Sequence, residues 1–165
     1  MAFALLLPAC GGGGSFHSGV YRDSEATYDV GPLGPGWSRL TLDDENDLAF
    51  FRESLDAVVQ VNASCDPSLD IPLEALTNHL LIGFTERSDV EPQDRVPLDA
   101  REALRTHMLA KLDGVPRELL FYVLKKNDCV FDFVLVAPPG APFEAAQPAF
   151  EALVAGFHVT AEDGS

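Results

Sequence analysis

The chain has 165 residues, 47% of them hydrophobic, and a formal net charge of −15 from 11 Lys and Arg against 26 Asp and Glu. That length suits one compact domain, and the apolar content excludes a disordered chain. The charge repels phosphate, which excludes nucleic acid as a partner and an anionic membrane surface as a docking site, and no apolar run reaches the roughly 20 residues of a membrane-spanning helix.

Residues 1–20 carry no charge, and the acidic excess is concentrated between residues 40 and 100. The apolar stretch Met1 to Ala9 ends at Cys10 and is followed by Gly11 to Gly14. Successive glycines lose the most entropy on ordering, so they predict a flexible tether. Leu7-Pro8-Ala9-Cys10 resembles the lipobox of a bacterial lipoprotein signal, Leu-x-(Ala/Gly/Ser)-Cys, and that resemblance implies export and lipid attachment at Cys10. The departures are Pro8 at the second position, a first charge only at Arg22, and nine residues before Cys10 where a full signal has about 15–30. Residues 1–10 are therefore read as a truncated signal, 11–26 as the tether, 27–160 as one globular domain and 161–165 as a tail.

Within the domain, Thr27 to Val30 reads as a short strand ended by the turn-rich Gly31–Gly36 segment, and Trp37 to Leu42 alternates as a half-buried strand. Asp43 to Asp47 forms an acidic loop or a first helical turn. Leu48 to Arg52 and Ala57 to Ser64 flank Glu53–Asp56 as a hairpin, its second arm β-branched and alternating. Asp70 is a plausible N-cap for an amphipathic helix of about three turns through Leu73, Leu76, Leu80 and Phe84, with Gly83 near its stop.

Asp89 to Leu98 is polar and extended, and Pro92 and Pro97 confine it to a sheet edge. Glu102 to Leu112 alternates, with Leu104, Met108, Ala110 and Leu112 on one face and Arg105, His107 and Lys111 on the other. Asp113-Gly114 is a strong hairpin turn, and Glu118 to Lys126 returns. Asn127-Asp128 turns into Cys129 to Ala137, whose almost wholly apolar run predicts a central strand. Pro138-Pro139-Gly140 ends it. Phe143, Ala146, Phe150, Leu153, Val154 and Phe157 then recur at helical spacing.

This order defines an α+β domain: an antiparallel meander with an amphipathic helix mid-chain and a C-terminal helix packed on the sheet. Over about residues 28–158 it resembles the PsbP-like sandwich. The resemblance rests on Tyr28-Asp-Val-Gly31 with Gly36-Trp37, on Asp113-Gly114-Val-Pro and its return strand, and on Cys129-Val-Phe-Asp before the last helix. The chain also resembles small lipoproteins of high-GC, myxobacteria-like bacteria that carry a Cys-Gly-Gly-Gly tether. The PsbP-like resemblance implies a fold whose members mostly bind other proteins. It does not imply one shared activity.

With Cys10 assigned to lipid, Cys65 and Cys129 remain as an even pair at the ends of two predicted strands. In an exported chain a bridge would close a loop of 64 residues and stabilise by about 4 kcal/mol on the chain-entropy account; the alternative is two buried free thiols. No Cys-x-x-Cys occurs, which speaks against redox catalysis and a zinc knuckle. His17, His79, His107 and His158 show no metal-ligand spacing, and His79 and His107 read as surface residues. Counting an EF-hand loop from Asp43 puts Leu48 where Gly is needed and Ser54 where Glu is needed, so the calcium motif fails. Gly-x-Ser-x-Gly, a P-loop and Gly-x-Gly-x-x-Gly are absent. Thr106, His107 and Asp99 can be drawn as a triad, though nothing in the pattern orients them. Asn62-Ala63-Ser64 matches a glycosylation acceptor, without meaning in a bacterium.

No catalytic residue, metal ligand or cofactor is therefore nominated. The expected function is that of a non-catalytic envelope lipoprotein, anchored through Cys10 at the outer membrane or periplasmic face, that binds an envelope protein or supports an assembly. The alternatives are a soluble cytoplasmic adaptor or chaperone of the same fold, which predicts free thiols at Cys65 and Cys129, and a hydrolase or ligand-binding enzyme, which predicts a concave pocket with convergent polar groups.

Overall fold

A computed structural model describes residues 13–41 and 46–160. In chain order the elements are β1 (Ser15–His17), β2 (Val20–Arg22), β3 (Thr27–Asp29), β4 (Ser38–Leu40), β5 (Leu48–Arg52), β6 (Ala57–Ser64), α1 (Leu73–Leu80), β7 (Phe84–Asp89), β8 (Asp94–Leu98), β9 (Arg101–Leu112), β10 (Val115–Lys126), β11 (Cys129–Ala137), α2 (Ala141–Ala155) and β12 (His158–Val159). The strands form a large antiparallel sheet in the order β4-β5-β6-β11-β10-β9-β7, with β8 also paired to β9, and a small sheet in the order β1-β2-β3-β12.

The apolar run of β11 has its predicted place, between β6 and β10. A central strand is buried on both faces, so its side chains split between two cores. Phe131, Phe133 and Leu135 face α2 and the small sheet, together with Leu120, Tyr122 and Leu124 of β10. Val130, with Val123 and Leu104, meets Leu73 and Leu76 of α1 on the opposite face. Beyond α1 that face is closed by Leu81, which packs with Met108, Leu119, Phe121 and Val134. The helical stripe predicted for α2 is its buried side: Phe143, Ala146, Phe150, Leu153 and Val154.

The hairpin turns are built from residue pairs with positive φ. Asp113-Gly114 (φ 50° and 78°) and Asn127-Asp128 (φ 51° and 61°) turn as predicted. Asp99-Ala100 (φ 47° and 60°) turns β8 into β9 without a glycine. Left-handed backbone is unfavourable for alanine, and the bonds made by the Asp99 side chain, given below, hold it there.

Three expectations need correction, and one strand was not foreseen. The stretch 11–26 is not all tether: β1 and β2 pair through Phe16↔Tyr21, Tyr21 packs against Tyr28 with ring centroids 5.1 Å apart, and Phe16 meets Phe50 edge-on at 5.9 Å. The first helix stops at Leu80 rather than continuing to Phe84. The left-handed Gly83 (φ 93°) breaks it, and Phe84 opens β7, which pairs with the end of β9. Its N-cap is Pro72, not Asp70. The last strand, β12, adds His158 and Val159 to β3, where the sequence shows no strand pattern.

Candidate functional site

The groups able to carry chemistry fall into three polar clusters and two clefts. In the first cluster, Tyr28, wholly buried, donates from Oη to Asp47 Oδ2 at 3.0 Å. The Ala63 N–H donates to the same oxygen at 2.8 Å. Asn62 of β6 links the Asp47 backbone to the Asp132 carboxylate: its Oδ1 accepts from the Asp47 N–H at 3.2 Å, and its Nδ2 donates to Asp132 Oδ1 at 3.0 Å. Asn62, read in the sequence only as part of a glycosylation triplet, is thus an internal strut.

Asp132 stands on the central strand and is surrounded by protein. Desolvation pushes its pKa up to about 6, the Asn62 amide works against that rise, and the nearby Asp47 charge adds to it. Burial likewise raises Asp47, opposed by the bonds from Ala63 and Tyr28. A carboxyl whose folded pKa lies above its unfolded value stabilises the native state while protonated, and that stability is lost as pH rises from roughly 4 to 6. Asp132→Asn keeps an acceptor for Asn62. It is expected to raise unfolding free energy by about 2 kcal/mol near pH 7.5 and by almost nothing near pH 4, measured by urea unfolding at both pH values.

The second cluster lies under α2. His107 stacks on Phe143 with centroids 5.0 Å apart and planes 15° off parallel. Its Nε2 lies 2.8 Å from Glu118 Oε1, and its Nδ1 lies 3.2 Å from Glu91 Oε1. Glu118 also accepts the Gly140 N–H, at 3.0 Å, where α2 begins. Arg105 pairs with Glu91 and donates to Tyr122 Oη at 3.1 Å. His107 is therefore not a surface residue as the sequence suggested; its side chain is 11% exposed. Because β9 alternates between two covered faces, its polar row is roofed by α2.

The third cluster ties the β8–β9 turn to the small sheet. Asp99 accepts from Lys126 Nζ at 2.7 Å and from the Val159 N–H at 2.8 Å, and His158 Nδ1 lies 2.7 Å from it. Burial acts to raise its pKa, but the bonds from Lys126, Val159 and His158 outweigh it and hold Asp99 below the usual carboxylate value. The triad drawn from Thr106, His107 and Asp99 does not assemble. Thr106 accepts from Gln93 at 2.9 Å, His107 faces two glutamates, and Asp99 holds Lys126.

Among the described residues no group of three or more His, Cys, Asp or Glu is placed to hold a metal ion. His17 lies exposed on β1 and His79 exposed on α1. Cys10 and residues Asp43 to Glu45 lie outside the described residues.

Cys65 and Cys129 are joined by a disulfide, S–S 2.01 Å. Register explains the pairing: Val130 faces Ser64 across the β6–β11 ladder, so the next step outward puts Cys129 opposite Cys65. The bridge lines a cleft of about 620 Å³ with Asp66, Asp70, Asp128, Arg101 and Lys125. Lys125 is already paired with Asp70 at 2.9 Å.

A second cleft, about 480 Å³, lies between the small sheet and the β3–β4 segment. Among the described residues its lining includes Phe16, Val30, Leu33, Trp37, Phe50 and Leu153 and no charged side chain. The Trp37 indole Nε1 is buried with no hydrogen-bond partner among the described residues. The sequence offers no pattern for this cleft, because four separate stretches build it.

No protein-family model matches the sequence, and no curated protein matches it either. Solved structures do resemble it. A protein from Bacteroides thetaiotaomicron aligns with TM-score 0.55 and 10% identity over 83% of this chain, which spans about half (49%) of that longer protein. The cyanobacterial PsbP (CyanoP) of Synechocystis aligns with TM-score 0.55 and 16% identity, covering 86% of this chain and 87% of its own. LpqN of Mycobacterium tuberculosis, involved in cell envelope biogenesis, aligns with TM-score 0.56 and 14% identity, covering 83% and 86%. At these identities the likeness concerns architecture. The chain has the fold of a PsbP-like α+β sandwich, with antiparallel sheets and two helices.

Proposed function

We propose that the protein is a non-catalytic envelope lipoprotein, tethered to the membrane through lipid on Cys10, whose folded domain binds an envelope protein or supports an assembly there. The Cys65–Cys129 disulfide carries this reading, because structural disulfides persist in exported proteins and are rare where thiols are kept reduced. The Leu7-Pro8-Ala9-Cys10 box stands ahead of the domain with a glycine linker between. Among the described residues no helix is long and apolar enough to cross a membrane, so lipid on Cys10 is the anchor this reading uses.

Support for a non-catalytic role comes from how the polar groups are spent. Asp47, Asp99, Glu118 and His107 each bind partners inside the fold, as polar groups that brace a scaffold do. The likeness to LpqN, a protein involved in envelope biogenesis, fits the same reading.

The test is intact mass of protein from its native source, before and after thiol alkylation, together with detergent-phase partitioning. A chain starting at Cys10, carrying diacylglycerol and no alkylatable thiol, is expected. Partitioning into the detergent phase should disappear in Cys10→Ala. A chain that retains Met1 and has three alkylatable thiols would overturn the proposal in favour of a soluble adaptor.

A further inference from the structure

We propose that the cleft between the small sheet and the β3–β4 segment binds a free long-chain fatty acid, the hydrocarbon chain against Phe16, Leu33, Trp37 and Phe50 and the carboxylate at its basic rim.

Charge placement favours this occupant. The protein carries −15 overall and should repel anions, and in its cystine-lined cleft Asp66, Asp70 and Asp128 outnumber Arg101 and Lys125. Among the described residues the lining of the apolar cleft contains no acid. Two guanidinium groups lie next to residues of this cleft: Arg39 over the ring of the lining residue Phe16, 5.3 Å from the centroid, and Arg52 beside Gly36, the chain neighbour of the lining residue Trp37, with Nε 3.2 Å from where a side-chain carbon on Gly36 would stand. An apolar slot with cations at one rim is complementary to a single-chain anionic amphiphile. A bulky polar ligand would leave the aromatic walls unused and strand its own hydrogen bonds.

Backbone packing fixes one wall of the cleft. Gly31 and Gly156 bring the β3–β4 segment against the end of α2: a side-chain carbon on Gly31 would fall 2.1 Å from the Ala152 carbonyl oxygen. This close approach sets Leu153 in the cleft wall. The Trp37 indole N–H, buried in the same wall, has no acceptor among the described residues.

Trp37 is the sole tryptophan, so its emission reports directly on the cleft. Palmitate titrated into the full-length Cys10→Ala protein is expected to shift Trp37 emission saturably at one molecule per chain. Dibromostearate should quench the emission with the same midpoint. Leu33→Glu, at a half-buried position, should abolish the response, and Arg39→Glu should weaken it roughly tenfold through loss of the charged contact. Methyl palmitate should bind as weakly to the unchanged rim as palmitate does to Arg39→Glu.

Absence of a saturable palmitate response, or of dibromostearate quenching in the chain with an intact cleft, would overturn the proposal. So would an unchanged response in Leu33→Glu. If lipidated native protein already has the shifted spectrum and palmitate adds nothing, the occupant is the chain's own acyl group and the free-acid assignment fails. The dibromostearate measurement needs no cleft variant, so a folding defect in Leu33→Glu does not blunt the test. The mass measurement on native protein tests anchoring separately, so failure of either proposal is told apart from failure of the other.

Discussion

Replacing Cys65 and Cys129 together by alanine is expected to lower the unfolding free energy by about 4 kcal/mol and the melting temperature by roughly 10 °C. The bridge joins neighbouring strands β6 and β11 and closes a loop 64 residues long. That loop contains α1 and strands β7 to β10, half of the large sheet. Reducing the bond lets this whole stretch explore the unfolded ensemble without the constraint, and the loss grows with the logarithm of loop length. The native ladder beside it is independent of the bond, since Val130 to Val136 pair with Ser64 to Val58 through the backbone. The double variant should therefore keep its fold and its far-UV spectrum while losing stability. Guanidinium unfolding of the oxidised, reduced and double-alanine chains gives the comparison. Equal midpoints for oxidised and reduced protein would show that the bridge contributes nothing.

The second large effect is expected from one methyl group. Gly31→Ala should destabilise the domain by about 3 kcal/mol or more, at the upper end of what overpacking costs. An added carbon would stand 2.1 Å from the Ala152 carbonyl oxygen and 2.9 Å from its carbonyl carbon. Both are backbone atoms of α2, so no rotamer change relieves the contact. The Gly31 N–H also donates to the Leu153 carbonyl at 2.9 Å, which anchors the approach. Relief requires α2 to move away from β3, and Phe157, whose ring packs 5.9 Å from that of Tyr28, must move with it. Gly34→Ala is a useful control, because nothing lies within 4 Å of its added carbon and its cost is confined to the left-handed backbone at that residue (φ 81°). Thermal unfolding of the two variants side by side separates steric contact from backbone preference. A Gly31→Ala protein as stable as Gly34→Ala would show that α2 adjusts freely.

Several parts of the fold were legible because they obey a local period. The alternation from Val58 to Ser64, the apolar run from Cys129 to Ala137, the Asp113-Gly114 turn and the stripe from Phe143 to Phe157 each encode their element within a dozen residues or so. Strands and helices of that length bury one face, and the spacing of apolar residues follows from the geometry. The elements that were not legible lack such a period. β1, β2 and β12 have two or three residues each, too few to show a pattern. They form because Phe16 and Tyr21 find Phe50 and Tyr28 in space.

The polar clusters show the same division. The spacing of His107 within its strand is readable, but its partners come from Glu91, Glu118 and Phe143, and only the covering of β9 by α2 brings them together. Asp99 was drawn beside His107 on chemistry alone, and the turn instead directs it to Lys126 and Val159.

By itself the amino-acid sequence determined the class of domain, the central strand and the closing helix, since each depends on local periodicity, and it left the two domain cysteines as a candidate pair that the strand register then joined. Only the tertiary structure decided where the polar groups spend their bonds and that an uncharged aromatic cleft exists at all. Residues 16, 18–19, 30–34, 37, 50 and 153 meet there through packing between elements far apart in the chain, and no local pattern records a contact whose two sides are set by different segments.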